Sequence, residues 1–241
     1  FPPSGEPKID PSRRYILDPG QFPQLKILNC PGVIADERFF QRLQRCRELR
    51  ELYFCSSPLT DESCRWLARQ TAMKLLNLDD CRLNDEMLAQ LTGLTALETL
   101  VLNEPRITNQ GMLAISRMHS VRELVISRAQ LTGDGIAALA KMPLTWLQLG
   151  EMPLSDADFS RLAPGMMSLQ RLSLHELAIT DESLDTIALC ENLEEIDIHC
   201  PEVRYKSAVR LAGLKHLKDL RINGHEVALP LTDPPQLRGS R

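Results

Sequence analysis

Aromatic residues and an excess of charge of one sign are both scarce in this sequence. Aromatics make up 5% of the 241 residues, and the formal net charge is only -4. A mildly acidic chain repels rather than attracts a phosphate backbone, so we expect no nucleic-acid binding. No apolar stretch approaches the roughly 20 residues that cross a bilayer as a helix, and we therefore expect no membrane insertion.

The cysteines do not form a motif. All seven are scattered, without a C-x-x-C pair or an even framework, so neither a disulfide scaffold nor a zinc-binding motif is indicated. We interpret them as reduced thiols, which favour a reducing compartment. Because no secretory targeting pattern is seen either, the expected location is cytoplasmic.

Motifs for catalysis are also missing. The sequence contains no G-x-S-x-G, H-E-x-x-H, phosphate-binding loop or dinucleotide fingerprint. The glycines of Gly133-Asp134-Gly135 fall in a bend before a predicted helix and are explained by that bend. We therefore expect a protein that is not an enzyme and that needs no cofactor.

What the sequence does contain is a repeat. The pattern L-x-x-L-x-L, with Ile, Val, Met or Phe allowed, occurs nine times, and its middle residues are 27 residues apart once and 23 to 25 apart thereafter. These middle residues, called anchors below, are Leu25, Leu52, Leu76, Leu100, Leu124, Leu147, Leu172, Ile196 and Leu220. A fixed period of this length is typical of solenoid proteins.

The rest of each period predicts a bend and a helix. A second apolar residue follows the anchor by seven positions, and Thr, Asn or Ser follows it by eight in six units. These short polar side chains are favourable helix N-caps. Asp61, Asp85, Asp156 and Asp181 come next, where a negative charge suits the positive end of the helix dipole. Apolar residues at offsets of 12 and 15 then keep one helical face inward.

The unit that begins at Leu172, LSLHELAITDESLDTIALCENL, resembles leucine-rich repeats of the cysteine-containing type and bacterial repeats with an I-T-D-x-G/S-L signature. The resemblance implies an α/β solenoid of about nine repeats of about 24 residues, with a parallel sheet on the concave face and helices on the convex face. In that type the ninth position often holds Asn or Cys, and here Cys30 and Cys81 match.

The predicted organisation has three parts. Residues 1–21 are a proline-rich capping segment, residues 22–228 form the solenoid, and residues 229–241 are a proline-rich C-terminal tail. Nine strands and eight helices are expected, because the last strand runs into prolines. The eighth unit carries Arg204-Tyr205-Lys206 in place of the Thr-Asp start, which weakens its helix cap.

The predicted concave surface is acidic. Positions at offsets -1, +1, +3 and +4 from the anchors carry ten acidic and four basic residues. The acidic ones are Glu51, Asp79, Asp80, Glu104, Glu123, Glu151, Glu176, Glu195, Asp197 and Asp219, and the basic ones are Lys26, Arg128, Arg171 and Arg221. Such a face can steer a basic protein partner toward itself. The alternative is that the charges only keep the sheet soluble.

Two aromatic residues, Tyr53 and Trp146, fall on the same face. Exposed large aromatics are frequent binding hot spots, while the alternative is that each lies flat on its neighbours. The candidate partner-binding residues are Tyr53, Asp79, Glu104, Trp146, Glu151, Arg171 and Glu176.

A histidine pair is the one weak candidate for a metal site. His175 and His199 share the offset +3 on adjacent predicted strands, with Glu176, Asp197 and Cys200 nearby. Two imidazoles with a carboxylate or thiolate can hold zinc. We favour the alternative, a pair of surface histidines, because equivalent residues recur easily in repeats.

We expect the protein to act by binding through its surface rather than by catalysis. The leading hypothesis is a non-catalytic protein-interaction module, because solenoids offer extended surfaces to partners. Two alternatives stay open: the substrate-recognition arm of a ubiquitin-ligase-like or effector assembly, and a structural subunit of a larger complex held along its helices.

Overall fold

The computed structural model describes residues 19–33, 36–104, 106–231 and 235–237. Across these ranges a ten-stranded sheet has its strands in chain order, the first nine parallel and the tenth antiparallel. The strands are β1 Ile27–Asn29, β2 Glu51–Tyr53, β3 Leu75–Asn77, β4 Thr99–Asn103, β5 Glu123–Ser127, β6 Trp146–Ser155, β7 Arg171–Ala178, β8 Glu195–His199, β9 Asp219–Ile222 and β10 His225–Glu226. The predicted α/β solenoid is confirmed.

Each pair of successive parallel strands is connected through a short helix. In the described ranges there are seven α-helices, α1 Glu37–Leu43, α2 Asp61–Leu67, α3 Asp85–Leu91, α4 Asn109–Ile115, α5 Gly133–Leu139, α6 Asp156–Ser160 and α7 Ser183–Ile187. Three further segments are 3-10 helices, Pro19–Gln21, Ala163–Gly165 and Tyr205–Leu211. The eighth connection is therefore the 3-10 segment Tyr205–Leu211.

A side-chain cap is present at most of the α-helices and absent at the eighth connection. The side chains of Thr60, Asn84 and Ser155 accept hydrogen bonds from backbone N–H groups of the first turn of α2, α3 and α6. Arg204, at the corresponding position before Tyr205–Leu211, makes no such side-chain bond. The helices α5 and α7 also lack a side-chain cap bond, at Thr132 and Glu182, so the missing cap does not by itself account for the 3-10 geometry of the eighth connection.

The anchors form a continuous buried row. Leu100, Leu124, Leu147 and Leu172 are aligned partners on adjacent strands, and each is at most 1% exposed. Because side chains alternate along a strand, the residues on either side of each anchor stand on the opposite face of the sheet. This confirms the predicted register from the second anchor onward.

The predicted register of the first repeat is wrong by three residues. Leu28, rather than Leu25, aligns with Leu52, and it is 7% exposed, whereas Phe22 of the predicted pattern is 56% exposed. The reason is that Leu25-x-x-Leu28-x-Cys30 also fits the repeat, with a small buried thiol in the last apolar place. With this register the 27-residue spacing becomes 24.

Both ends of the sheet carry additional structure. At the C-terminal end, Asn223 and Gly224 have φ angles of 51° and 79°, the conformation of a tight hairpin turn, and they connect β9 to β10. Val227 continues this closure by donating its N–H to the carbonyl of Leu220. At the N-terminal end, Pro19–Gln21 packs near α1, and the Cys46 thiol donates to the carbonyl of Pro19; residues 1–18 of the predicted capping segment lie outside the described residues.

Candidate interaction surface on the sheet

Two rows of side chains stand on the face of the sheet opposite the anchors, which we call the sheet face. The first row consists of the residues that precede the anchors, and its C-terminal half is Glu123, Trp146, Arg171, Glu195 and Asp219. The second row consists of the residues that follow the anchors, and its C-terminal half is Val125, Gln148, Ser173, Asp197 and Arg221. Lys26 belongs to neither row, because the corrected register places it before β1.

Trp146 is part of a stacked arrangement. The Arg171 guanidinium lies 4.5 Å from the centre of the Trp146 ring and 2.7 Å from a Glu123 carboxylate oxygen. A cation over an indole face is stabilising, and more so when partly desolvated. The ring is half-buried, so one face is packed while the side chain still contributes surface.

Tyr53 also lies on the sheet face and is half-buried. Its hydroxyl donates to Glu51 Oε2 over 3.2 Å. Burial, followed by the charge of Glu51, raises the pKa of the tyrosine. Tyr53 is thus tied to an acidic neighbour on its own strand.

Glu104 is a correction to the predicted surface. It is 1% exposed, and its Oε1 accepts the N–H of Arg82 at 2.5 Å. Burial raises the pKa of Glu104, although hydrogen bonds from the backbone of Arg82, Leu83 and Cys81 oppose the rise. The side chain therefore fixes the bend of the preceding repeat and is not available to a partner.

Backbone conformation explains the difference between Glu104 and its equivalents. At the same offset of +4, Arg128, Glu151 and Glu176 have φ angles of 59°, 51° and 50°. This left-handed conformation costs an L-residue roughly 1–2 kcal/mol. Glu104 is outside the set of positive-φ residues, and its side chain turns inward, whereas the three left-handed residues are exposed.

These left-handed residues line a depression at the carboxyl ends of the strands. Its volume is about 330 Å³, and it is bounded by Asn103, Ser127, Arg128, Gln148, Gly150, Glu151, His175 and Glu176. Arg128 Nε lies 3.6 Å from Glu151 Oε1. Two predicted contact residues, Glu151 and Glu176, thus lie beside His175, one of the two histidines of the weak metal-site candidate.

The histidines are stacked neighbours. The rings of His175 and His199 are 5.2 Å apart and inclined by 10°, and His199 Nε2 lies 3.1 Å from Asp197 Oδ1. Burial is the main cause that lowers the pKa of His175. Cys200 is fully buried, and its thiol points at the carbonyl of Leu174. Over the described residues, no three His, Cys, Asp or Glu side chains are grouped to hold a metal ion.

The sheet face remains acidic after these corrections. Without Glu104 and Lys26 it carries nine acidic and three basic residues. Each arginine is close to one carboxylate: Arg171 to Glu123, Arg128 to Glu151, and Arg221 to Asp219. In the described part of the chain the other six carboxylates form no ion pair with Lys or Arg; they are Glu51, Asp79, Asp80, Glu176, Glu195 and Asp197.

A second set of carboxylates, on the helix side, was not recognised from the sequence as a link between repeats. Asp85 Oδ1 accepts the N–H of Thr108 in the next repeat, at 2.9 Å, and Asp156 accepts that of Thr180 at 2.9 Å. Asp181 accepts the N–H of Arg204 at 2.7 Å. We call these three residues the carboxylate ladder.

The ladder also explains the small residue of the G/S-L signature. A Cβ atom on Gly111 would lie 2.5 Å from Asp85 Oδ1, so Asp85 would have to shift to admit a side chain there. Where the position holds serine, as in Ser183, its hydroxyl donates to Asp156 Oδ1 at 2.5 Å. An aspartate followed one repeat later by Gly or Ser was therefore a readable sign of this contact.

Neither a protein-family model nor a curated protein matches the chain. Among solved structures, internalin C2 from Listeria monocytogenes is similar with a TM-score of 0.62 and 20% identity, over 84% of this chain and 83% of that one. A leucine-rich-repeat protein from Leptospira interrogans has a TM-score of 0.51 and 20% identity, over 88% of this chain and 52% of that one. TLR13 in a TLR13–ssRNA13 complex has a TM-score of 0.54 and 21% identity, over 75% of this chain and 26% of that one.

These similarities establish the fold. The chain has the leucine-rich-repeat fold, a repeat solenoid of parallel strands and short helices. Of the helices in the described ranges, none has both the length and the apolar character needed to span a membrane.

Proposed function

We propose that this protein is a non-catalytic interaction module whose sheet face binds a protein partner with a basic surface. The observation that carries the proposal is the continuous row structure of the sheet face, on which six carboxylates have no Lys or Arg partner in the described chain. Opposite charge on a partner would accelerate encounter and fix the orientation of docking.

The contact set consists of Tyr53, Asp79, Trp146, Glu151, Arg171 and Glu176. Glu104 is left out because it is buried. Glu151 and Glu176 support the choice, since each presents an exposed charged side chain at the offset of +4. The positive φ at this offset is a property of the repeat's bend, because Ser56, Asp80 and Arg128 share it.

Two further assignments belong to the proposal. We place the protein in a reducing compartment such as the cytoplasm, supported by seven cysteines that the structure gives as thiols rather than disulfides. We also assign the repeats to the cysteine-containing type, supported by Cys81, whose thiol donates to the carbonyl of Phe54 in the preceding repeat at 2.6 Å.

The other hypotheses predict a different surface or a different ligand. A structural subunit would be held along its helices, and a substrate-recognition arm would use the sheet face as proposed here but within a larger assembly. The single-stranded RNA of the TLR13 complex is a ligand of that protein. For the present chain, an acidic sheet face disfavours a phosphate backbone.

The test is a capture experiment with matched charge reversals. Immobilised wild-type protein is compared with the sheet-face variant Glu151→Lys/Glu176→Lys and with the helix-side variant Glu86→Lys/Glu182→Lys, each exposed at both positions. We expect a bound protein that survives the helix-side reversal and is lost with the sheet-face reversal. It should also bind more weakly as salt rises, because exposed charges are screened.

The opposite pattern would overturn the proposal. If the helix-side variant loses the partner while the sheet-face variant keeps it, the structural-subunit hypothesis replaces the interaction module. Thermal unfolding of each variant checks that a lost interaction is not a lost fold.

A further inference from the structure

The sheet face has a second depression, which spans β6 to β9 between the two rows. Its volume is about 160 Å³, and the backbone at Leu172 and Ile196 forms its floor, because the side chains of these two anchors point into the core. Ser173, the small side chain between Gln148 and Asp197 in the second row, leaves the space open. We call this depression the Ser173 pocket.

The two sides of the Ser173 pocket carry different side chains, aromatic and basic on one side and acidic on the other. On one side stands the Trp146 ring with the Arg171 guanidinium stacked on it. On the other side are Glu195, Asp197 and Asp219. The two arginines of the lining are already compensated, since Arg171 lies 2.7 Å from Glu123 and Arg221 lies 2.9 Å from Asp219. With Glu123 included, four carboxylates thus lie close to two guanidinium groups.

Two of these carboxylates have an oxygen that lacks a hydrogen bond. Asp219 Oδ1 is shielded from solvent and accepts none, while Asp219 Oδ2 is the atom that binds Arg221. Asp197 Oδ1 is equally shielded and accepts none, although His199 Nε2 is 3.1 Å away. A shielded carboxylate oxygen without a donor is destabilising, so the negative charge of Asp197 and Asp219 is only partly compensated by neighbouring groups of the chain.

We propose that the Ser173 pocket receives an arginine side chain from a basic segment of the partner; the inference rests on the proposed function and adds the residue that is recognised. The guanidinium donates to the carboxylates of Glu195 and Asp219, which are cross-strand partners, and Asp197 supplies further negative charge. The arginine stem lies over the backbone at Leu172 and Ile196, beside the Trp146 ring.

Arginine fits this arrangement better than lysine. Adjacent parallel strands are about 4.8 Å apart, so Glu195 and Asp219, which are cross-strand partners, present acceptors side by side. The guanidinium carries five donors in one plane and can serve two carboxylates at once. An ammonium group is a point charge that is more costly to desolvate, and it would gain less here.

The experiment uses the whole chain and two probes of equal charge, hexa-arginine and hexa-lysine, in calorimetric titrations at physiological salt. Wild-type protein should bind hexa-arginine at least about fivefold more tightly than hexa-lysine, because only the planar fork gains the paired hydrogen bonds. The pocket variant Glu195→Gln/Asp197→Asn should lose about tenfold in affinity for hexa-arginine, as expected for charge-assisted hydrogen bonds.

The matched control removes two charges from the other acidic end of the sheet face. Glu51→Gln/Asp79→Asn is close in chemistry, since Asp79 Oδ1 is also shielded and without a hydrogen bond, but neither residue lines the Ser173 pocket. This variant should lose less than about twofold, the effect of exposed charges alone.

A second pair of variants blocks the pocket without changing charge. Ser173→Leu fills the space and should abolish the preference for arginine. Asn29→Leu places the same side chain in the same row on β1 and should leave that preference unchanged. Because the Gln and Asn changes are isosteric, thermal unfolding is expected to be nearly unaffected by them.

Three results would overturn the inference. One is an equal loss of affinity in the pocket variant and in the control, which would leave a generally acidic docking face and keep the proposed function. Another is an unchanged preference for arginine in Ser173→Leu. The third is no binding of hexa-arginine by the wild type; the proposed function is then decided separately by the capture experiment.

Discussion

Carboxylates on the two sides of this solenoid have the same chemistry and different tasks. On the helix side, Asp85, Asp156 and Asp181 each accept a backbone N–H from the next repeat. On the sheet face, Glu195 and Asp197 have no Lys or Arg partner in the described chain, and one Asp197 oxygen has no donor. The number of donors around a carboxylate, rather than its charge, therefore separates a stabilising residue from one that is available to bind.

The largest expected effect on stability comes from the core, which holds the helix side and the sheet face of each repeat in place. Leu124→Ala should lower the free energy of unfolding by about 2–5 kcal/mol, through lost burial and a residual cavity. Urea denaturation measures the change. A loss below about 0.5 kcal/mol, the size of an ordinary surface substitution, would contradict the anchor register and with it the assignment of both sides.

The next largest effect on stability compares an aspartate of the carboxylate ladder with a glutamate of the sheet face. Asp156→Ala should cost about 2–3 kcal/mol, because it leaves the N–H of Thr180 and two hydroxyl groups without their acceptor. Glu195→Ala, on the sheet face, should cost less than about 0.5 kcal/mol. Equal losses in urea denaturation would remove the distinction between ladder and sheet face.

The pH dependence of stability sharpens the same comparison. Burial alone would raise the pKa of Asp156, but hydrogen bonds from Ser183 and Thr180 outweigh it and lower the pKa below its ordinary value of 3.8. A lowered folded-state pKa gives stability that is present above 3.8 and is lost as the pH falls through the folded-state value. Asp156→Asn should therefore lose less stability than the wild type on acidification below about pH 4.

A smaller pH dependence of stability, of opposite sign, is expected from Glu104. Burial raises its pKa above 4.5, so its contribution to stability is complete below that pH and is lost as the pH rises through the folded-state value. Glu104→Gln keeps an acceptor for Arg82 without the buried charge, and at pH 7 it should be within about 0.5 kcal/mol of the wild type or more stable. Glu104→Ala should lose about 1–3 kcal/mol, because the N–H groups of the bend lose their acceptor.

The smallest expected effect is a gain in stability. Glu151→Gly should raise the free energy of unfolding by about 0.5–1 kcal/mol, because relief of the left-handed strain exceeds the backbone entropy that glycine loses. Glu195→Gly, within a strand, should instead lower it by about 0.5–1 kcal/mol. If Glu151→Gly is also destabilising, the glutamate side chain itself contributes to folding, and its exposed charge is not free for a partner alone.

The periodic features were predictable from the sequence, and the departures from period were not. Apolar spacing predicted the anchors from Leu52 onward, because burial on one face of a strand constrains every second residue. It failed at Leu25, where two overlapping patterns both fit and only stacking on β2 selects Leu28. The Asn-Gly pair at 223–224 was a readable hairpin signal, and its antiparallel strand was missed because the repeat pattern ends there.

The surface was harder to predict than the core. Glu104 and Glu151 share an offset, but Pro105 follows Glu104, and a residue before proline is restricted to extended backbone. The inward contact of Glu104 also depends on the free N–H groups that the bend of the neighbouring repeat offers. Trp146 was correctly placed on the sheet, but its stacking with Arg171 depends on an alignment between strands 25 residues apart in sequence.

Strand order in this sheet is the same as chain order, so every inner unit touches one unit before it and one after it. Under tension applied to the two termini, an end unit is retained by one neighbour only, while every inner unit is retained by two. Force should therefore unravel the protein from an end, in steps that each release about 24 residues, or roughly 80 Å of extended chain. A stretched molecule would lengthen as a series of equal increments, and the remaining units would keep a continuous sheet until the last pair separates.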